Sequence, residues 1–475
     1  VEEFVKPRGE NDYKKYAAIV AAVVAAIGLA GVLAGVLHAA PSSFLHIRQK
    51  LSYTDYTSAY PELAVSPDRN YLAVTWVEGH DDKSGSKGHV YLRIASESGG
   101  WGAPIEVYHG DADACAYDRA AVAITGTTAH IAYVVFADCT NGQNTRVYYT
   151  TCSLTDGTCV SNELVLSTTD QKILWVDIAV DESGNPHLVF ARYKKEGPYE
   201  DFHGKVFYEG HTGSGWGTEE TVYDDADTNN HTPAIAWSDG CAHIAWEEEM
   251  GGKILYRRRC AGVWYPNPTV DPYLIHYSTP TYPPHSPDVA TAPGGRLFVV
   301  WDCLAQEATA HTPATRYLLY KRSNDGGDTF YPVAYPLEVG TDHTGGIPDP
   351  YTEHVVGAAE DSGYYLRYLQ PSVALNEDGW PAVVWHTGGV TGTYYTYATS
   401  GTDTSVDWMT PTLLFGGQAG TPVVGLGGWV TSTVPLLHVA YMYAPGDSWN
   451  VYYDSNEADV IDIPTVYLPL VTKGY

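Results

Sequence analysis

Residues 71–76 read Tyr-Leu-Ala-Val-Thr-Trp, a run of apolar and β-branched side chains that stops on an aromatic, Trp76. Further runs of the same kind follow: AHIAY to Tyr133, PHLVF to Phe190, CAHIAW to Trp246, RLFVVW to Trp301, PAVVW to Trp385 and PLLHVAY to Tyr441. Successive closing aromatics lie 57, 57, 56, 55, 84 and 56 residues apart. A fixed period with one enlarged interval marks a repeat architecture with an insertion in one unit.

Each unit has the same contents. A short apolar run closed by turn residues comes first, such as ELAVSPD before Trp76 or PSVALNEDG before Trp385. After the aromatic-ended run comes a third run with paired aromatics, as in HVYLRIA, KVFYEG and NVYYDS. A weaker fourth run closes most units, such as PIEVY after Trp101 and ETVY after Trp216. Four short strands per 55–57 residues, with no helical periodicity between them, make one blade of a β-propeller. The expected fold is therefore all-β, a seven-bladed propeller of four-stranded blades over residues 55–475, with an inserted loop at about 336–369. Two β-sandwiches would show no constant period. The last strand of the final blade comes from either LSYTDYT (residues 51–57) or TVYLPLV (465–471).

Ahead of the repeats, residues 17–40 run for 24 positions without a charge. At 1.5 Å per residue, such a run crosses roughly 30 Å of hydrocarbon. Lys6, Arg8, Lys14 and Lys15 precede it, and only Arg48 and Lys50 follow closely. The positive-inside rule then gives a cytoplasmic segment over 1–15, a transmembrane signal-anchor helix over 16–40, a linker over 41–54 and an extracytoplasmic propeller. A cleaved signal peptide is the alternative, against which stand the length of the run and Pro41 directly after Ala39-Ala40. Gly31 and Gly35 form a GxxxG that admits a second helix closely, although an Ala/Gly-rich span also produces that spacing by chance.

Seven cysteines fit an oxidising compartment. Cys152 and Cys159 flank one turn, Cys241 and Cys260 begin the second and end the third run of blade 4, and Cys115 and Cys139 both lie in blade 2, leaving Cys303. These are read as local disulfides, since no CxxC or accompanying pair of histidines points to a metal. With 56 acidic against 27 basic residues the formal charge is −29, which repels phosphate backbones and disfavours nucleic acid as a partner. No nucleophile elbow, phosphate loop or dinucleotide fingerprint occurs.

The segment Ser323-Asn324-Asp325-Gly326-Gly327-Asp328-Thr329-Phe330 fits S-x-D-x-G-x-T-F at every specified position. Ser323 and Asp325 suit hydrogen bonding to a turn backbone, Gly327 an unusual φ, and Thr329 and Phe330 the return to the core. This segment resembles the Asp-box of sialidase-like, BNR-type propellers. Worn versions ending on Trp101, Trp216 and Trp264 extend the resemblance over the repeats. Membership would imply a sialidase, but no Arg-Ile-Pro occurs, and three of the few arginines are bunched as Arg257-Arg258-Arg259. No catalytic residue is carried over, and the resemblance places Asp325 away from a catalytic face. The tail IPTVYLPLVTKGY is similar to an ending found on exported proteins of some filamentous bacteria.

Loops on the ligand face of such a ring are acidic. Asp111 and Asp113 follow blade 1, and Asp225, Asp227 and Asn229 follow blade 3. Alternating carboxylates suit a hard cation such as calcium, although a solvated acidic loop is the commoner source of such a pattern. The enlarged interval carries His343, Asp349, Glu353 and His354 on a Gly/Pro-rich loop. The expectation is a membrane-anchored binding or scaffolding subunit without catalysis, partnered by other membrane or surface proteins. The alternatives are an exported sialidase-like glycoside hydrolase or lyase and a surface-layer or filament building block.

Overall fold

The computed structural model describes residues 48–455, apart from 53–56, 80–87, 97–99, 111–114, 139–142, 170, 197–200, 225–228, 249–251, 268–270, 278–283, 307–313, 332–353, 362–369, 387–391, 402–405, 410, 416–418, 432–433 and 445–448. The apolar run 17–40 with Gly31 and Gly35, the tail, Asp111, Asp113, Asp225, Asp227 and Cys139 lie outside the described residues. Within them, no helix is long and apolar enough to cross a membrane.

Seven antiparallel sheets follow one another along the described chain, six with their strands in sequence order from the inside outward and the seventh taking its outermost strand from Gln49–Lys50. In blade 3, for example, Gln171–Val180, Pro186–Glu196, Asp201–Gly210 and Glu220–Tyr223 pair in that order. The first strands of successive blades pack side by side, and Ala419–Thr431 of blade 7 returns against Ser58–Val65 of blade 1. The ring is a closed seven-bladed β-propeller. Closure comes from Gln49–Lys50, which pairs with Asn450–Ser455 through Gln49 opposite Tyr453 and Lys50 opposite Tyr452. These two residues fall inside the 41–54 stretch expected to be linker, just ahead of Leu51, so the ring begins earlier than the period implied. The repeating aromatics mark second strands only, and this outer strand precedes all of them.

The seven period-setting aromatics are the centres of the blades. Trp76, Tyr133, Phe190, Trp246, Trp301, Trp385 and Tyr441 are each no more than 1% exposed. Every one sits where the inward side of a sheet meets its neighbour, and burying such a ring contributes about 2–3 kcal/mol. Three of them have a hydrogen-bonded polar atom. Trp76 Nε1 donates to Glu78 at 2.8 Å, Trp246 Nε1 to Asn230 at 3.1 Å and the Tyr441 hydroxyl to Asp454 at 3.2 Å.

A second repeat accompanies the first. Three residues before the closing aromatic, blades 2, 3, 4 and 7 carry His130, His187, His243 and His438. Each imidazole Nδ1 lies 2.6–2.7 Å from the hydroxyl of a third-strand tyrosine: Tyr149, Tyr208, Tyr256 and Tyr453 respectively. Blade 5 replaces the pair with Phe298 stacked on Tyr320 at 5.3 Å. Burial pushes His130, His243 and His438 down to about 4, so these rings are neutral at physiological pH.

Cys152–Cys159 and Cys241–Cys260 are disulfides, the latter joining residues directly opposite in register. Cys115 is disulfide-bonded as well, while Cys303 is a buried thiol. The enlarged interval of blade 5 contains the fourth strand, His354–Asp361, which pairs with Ala314–Ser323. His354, expected on an irregular loop, therefore begins a strand. The excess residues separate that strand from the turn after Ser323, whereas His343, Asp349 and Glu353 lie outside the described residues.

Candidate binding site at the axial face

One end of the ring, the axial face, is where second strands end and first strands begin. On approaching it, the first strands break register in the same way. Bulges fall between Ala59 and Glu62, Tyr117 and Ala120, Leu174 and Asp177, His231 and Ala234, His285 and Asp288, and Gly420 and Val423. A residue with positive φ sits in this stretch: Tyr60 at 51°, Trp175 at 51°, Thr232 at 43°, Ser286 at 50° and Thr421 at 40°, with Gln370 of blade 6 at 45°. Most of them directly precede a proline, as in Tyr60-Pro61 and Ser286-Pro287. A left-handed conformation at a non-glycine residue costs on the order of 1–3 kcal/mol and persists only where neighbours over-determine it. Each bulge re-aims one side chain toward the axis.

Buried polar side chains hold these bulges in place. Glu247, at the end of blade 4's second strand, is 4% exposed. Its Oε1 lies 2.7 Å from His285 Nδ1, and its Oε2 accepts from the Ser286 amide at 3.2 Å and the Thr232 hydroxyl at 3.2 Å. One carboxylate thus ties the bulges of blades 4 and 5 together. Just past the bulges runs a belt between blades. Asp177 Oδ2 accepts from the Ile235 amide and Asp288 Oδ2 from the Val373 amide, both at 2.8 Å, and Ser372 Oγ accepts from the Val424 amide at 3.3 Å. The other oxygens of Asp177 and Asp288 accept from the amides of Ile178 and Val289. Burial raises both carboxyls, and the Asp177 charge adds to the rise at Asp288, which reaches about 6. Arg119 pairs with Glu62 at 3.2 Å beside this belt.

Within this frame, one group of side chains has the form of a recognition surface. Trp175, half-buried at its bulge, meets Tyr193 edge-on at 5.8 Å and His231 at 5.4 Å with the rings perpendicular. The Tyr193 hydroxyl lies 2.7 Å from His231 Nδ1 and 3.1 Å from the Asn230 carbonyl, so the tyrosine is locked and fixes the other two rings. An aromatic face held rigidly beside an imidazole and the Thr232 hydroxyl presents apolar area together with directional hydrogen bonding.

The S-x-D-x-G-x-T-F segment is at the opposite end of the strands. Ser323 Oγ donates to Asp325 Oδ1 at 2.7 Å and accepts from the Gly327 amide at 2.8 Å. The same Asp325 oxygen accepts from the amides of Asp328 at 3.1 Å and Thr329 at 2.9 Å. These bonds hold the Asp325 carboxyl below its ordinary range against the opposing effect of burial. Gly327 has φ +88° and packs against the Tyr256 ring of blade 4, and Phe330 meets that ring edge-on at 4.9 Å. Arg258 of blade 4 reaches the Gly326 carbonyl and Asp328. The turn is a clasp between blades 4 and 5. Asn229, from the expected calcium set, accepts from the Gly204 amide at 3.1 Å.

Sequence reasoning missed the axial cluster. The signal was present as a second repeat, an X-Pro just ahead of the first apolar run, but it is a backbone device and carries no recognisable chemistry. Trp175, Tyr193 and His231 come from two blades and converge only through ring closure.

The fold and its repeated bulges define a closed seven-bladed propeller. The α-L-arabinanase of Penicillium chrysogenum, solved with arabinobiose, aligns over 87% of this chain and 98% of its own at 13% identity, TM-score 0.47. An α-L-arabinofuranosidase of Fusarium graminearum aligns over 86% and 96% at 12% identity, TM-score 0.45. The NanB sialidase of Streptococcus pneumoniae aligns over 86% and 71% at 10% identity, TM-score 0.44. At these identities the likeness is one of fold. No protein-family model and no curated protein matches the sequence.

Proposed function

We propose that this protein is a glycan-binding propeller, tethered at the outer side of a membrane by residues 17–40, which takes a neutral sugar on its axial face. The carrying observation is the half-buried Trp175, fixed edge-on by Tyr193 and His231 at a strained bulge. A pyranose or furanose ring stacks on such an indole through its C–H face while its hydroxyls meet the imidazole and Thr232. A neutral rather than acidic sugar suits the face, because Arg119 is already paired with Glu62 and the chain carries a charge of −29. The apolar run and its Gly31/Gly35 spacing support a membrane tether beside another helix.

Hydrolysis is the second reading. It is favoured by carboxyl groups near the same face, Glu62, Asp177 and Asp288, the last raised to about 6 by burial. The backbone amides that occupy both oxygens of each aspartate favour a structural role for them, leaving Glu62 as the carboxylate to test. The experiment is a binding screen of the purified chain against neutral and acidic oligosaccharides, with reducing-end release followed in parallel. Binding of a neutral glycan that Trp175→Ala weakens at least tenfold is expected. Release that Glu62→Gln abolishes would establish the hydrolytic reading. Failure to bind any glycan, or affinity indifferent to Trp175→Ala, would overturn the proposal.

A further inference from the structure

At the outer edge of blade 1 lies a cluster with chemistry unlike the rest of the ring. His89 is the first residue of the third strand, His89–Ser96, Glu106 is the second residue of the outer strand, Ile105–Tyr108, and His109 follows that strand. Register explains why they meet. Tyr91 stands opposite Glu106, but Val90 stands opposite Tyr108, so Val107 is an extra residue in the outer strand. An unbulged ladder would set Tyr108 opposite His89. The bulge advances the register by one and sets His109 there instead, on the face shared by His89 and Glu106.

Both imidazoles turn the same atom toward one oxygen. His89 Nδ1 lies 2.9 Å and His109 Nδ1 2.8 Å from Glu106 Oε1, and the rings stand 4.7 Å apart at 68°. The candidate donor atoms all fall within 4.8 Å of one another. His89 is 15% exposed, Glu106 39% and His109 72%, so one donor is anchored in the blade while the others border solvent.

The other blades act as an internal control. The same bulge recurs in blade 3, where Val206 pairs with Tyr223 and Phe207 with Thr221. There the positions of His89, Glu106 and His109 hold Lys205, Thr221 and Asp224, and Lys205 forms an ordinary ion pair with Asp224 at 2.5 Å. Blade 4 repeats the bulge with Lys253, Leu274 and Tyr277. The fold requires the bulge but not the histidines. Where the repeat sets a cation against an anion in blade 3, blade 1 sets two imidazoles against a single carboxylate.

We propose that His89, Glu106 and His109 form a binding site for a divalent transition metal of the zinc class, with a fourth position open to water. Two neutral nitrogen donors and one carboxylate oxygen match zinc and its neighbours, whereas calcium takes six to eight oxygens. Tetrahedral donors at 2.0–2.1 Å stand about 3.3 Å apart, so the metal fits once the exposed Glu106 and His109 shift, each Nδ1–Oε1 distance opening by about half an ångström and the two imidazole donors closing by roughly 1.5 Å. This site stands apart from Trp175 and does not depend on glycan binding.

The test uses the full chain, stripped with a chelator and titrated with zinc against a chromogenic competitor. One tight equivalent is expected, undisturbed by millimolar calcium. His109→Ala should weaken it at least tenfold, and the His89→Ala/His109→Ala double variant should lose it. Cobalt substitution should give the visible absorption of a tetrahedral ion in the native chain only. Because His109 is largely exposed, its single variant keeps the fold, which the unchanged far-ultraviolet spectrum will verify. Equal zinc uptake by the native and double-variant chains would overturn the proposal, as would no stoichiometric uptake by the native chain.

Discussion

Replacing His438 with phenylalanine separates the two contributions of the buried histidine–tyrosine pairs. In the native ring His438 is 7% exposed, and its Nδ1 lies 2.7 Å from the Tyr453 hydroxyl. Burial lowers its pKa from 6.5 to about 4. A folded pKa below the unfolded one means that the unfolded chain takes up the proton first as pH falls. The stability tied to the neutral ring is therefore complete above about pH 6.5 and drains away toward pH 4. Linkage with these values gives a loss of about 0.2 kcal/mol at pH 7 and about 2 kcal/mol at pH 5. Phenylalanine cannot titrate, and blade 5 already seats Phe298 on Tyr320 in this position. His438→Phe should cost about 1–2 kcal/mol at pH 7, where the hydrogen bond to Tyr453 is lost. At pH 5 most of that penalty should vanish, because the variant escapes the protonation cost. Urea unfolding at the two pH values measures this directly. A penalty of the same size at pH 7 and pH 5 would refute the reasoning, since it would mean that protonation of His438 is no harder in the folded ring than outside it.

Two further outcomes follow from the opposite end of the strands. Gly327→Ala should destabilise by about 1–2 kcal/mol, because its φ of +88° is unfavourable for a side chain and a Cβ would run into Tyr256; thermal denaturation reads it, and an unchanged midpoint would show that the clasp between blades 4 and 5 gives way freely. Opening Cys241–Cys260 with a double serine substitution should lower stability by about 3 kcal/mol in the loop-closure view, given a sequence separation of 19. Chemical denaturation under non-reducing conditions tests that figure, and a loss confined to reducing conditions would contradict it.

The fold was legible because a propeller repeats one physical problem seven times. Each second strand must end on a large ring to fill the wedge between blades, and Trp76 through Tyr441 carry that requirement openly in the sequence. The local disulfides were legible for a related reason, as cysteines that open and close neighbouring strands of one hairpin must stand opposite each other. Closure was only half legible. Gln49 and Lys50 bear no apolar pattern, and an outer strand of two residues gives periodicity nothing to act on. The axial site was hidden because Trp175, Tyr193, His231 and Glu247 are scattered over blades 3 and 4, and their proximity depends on bulges that amino-acid type does not announce. His89, Glu106 and His109 were hidden by register: unbulged alternation sends His109 to the wrong face.

The closing strand also sets an order of events. Ser52 is hydrogen-bonded to Asn450 across 398 residues of sequence, and the Val451 amide reaches back to the Ser52 hydroxyl across 399. The stretch that completes the seventh blade is thus translated before any blade exists, and its docking place is made only after six blades have been. Blades can form one by one as the chain emerges, since their hairpins are local, but the ring cannot latch until Asn450–Ser455 has been made. Until then Gln49–Lys50 has no strand beside it and the side of blade 1 no neighbour, so the half-made ring presents unpaired flanks to other nascent copies. The aggregation hazard therefore lasts through the making of all the earlier blades, and a chain truncated ahead of residue 450 should keep that hazard permanently.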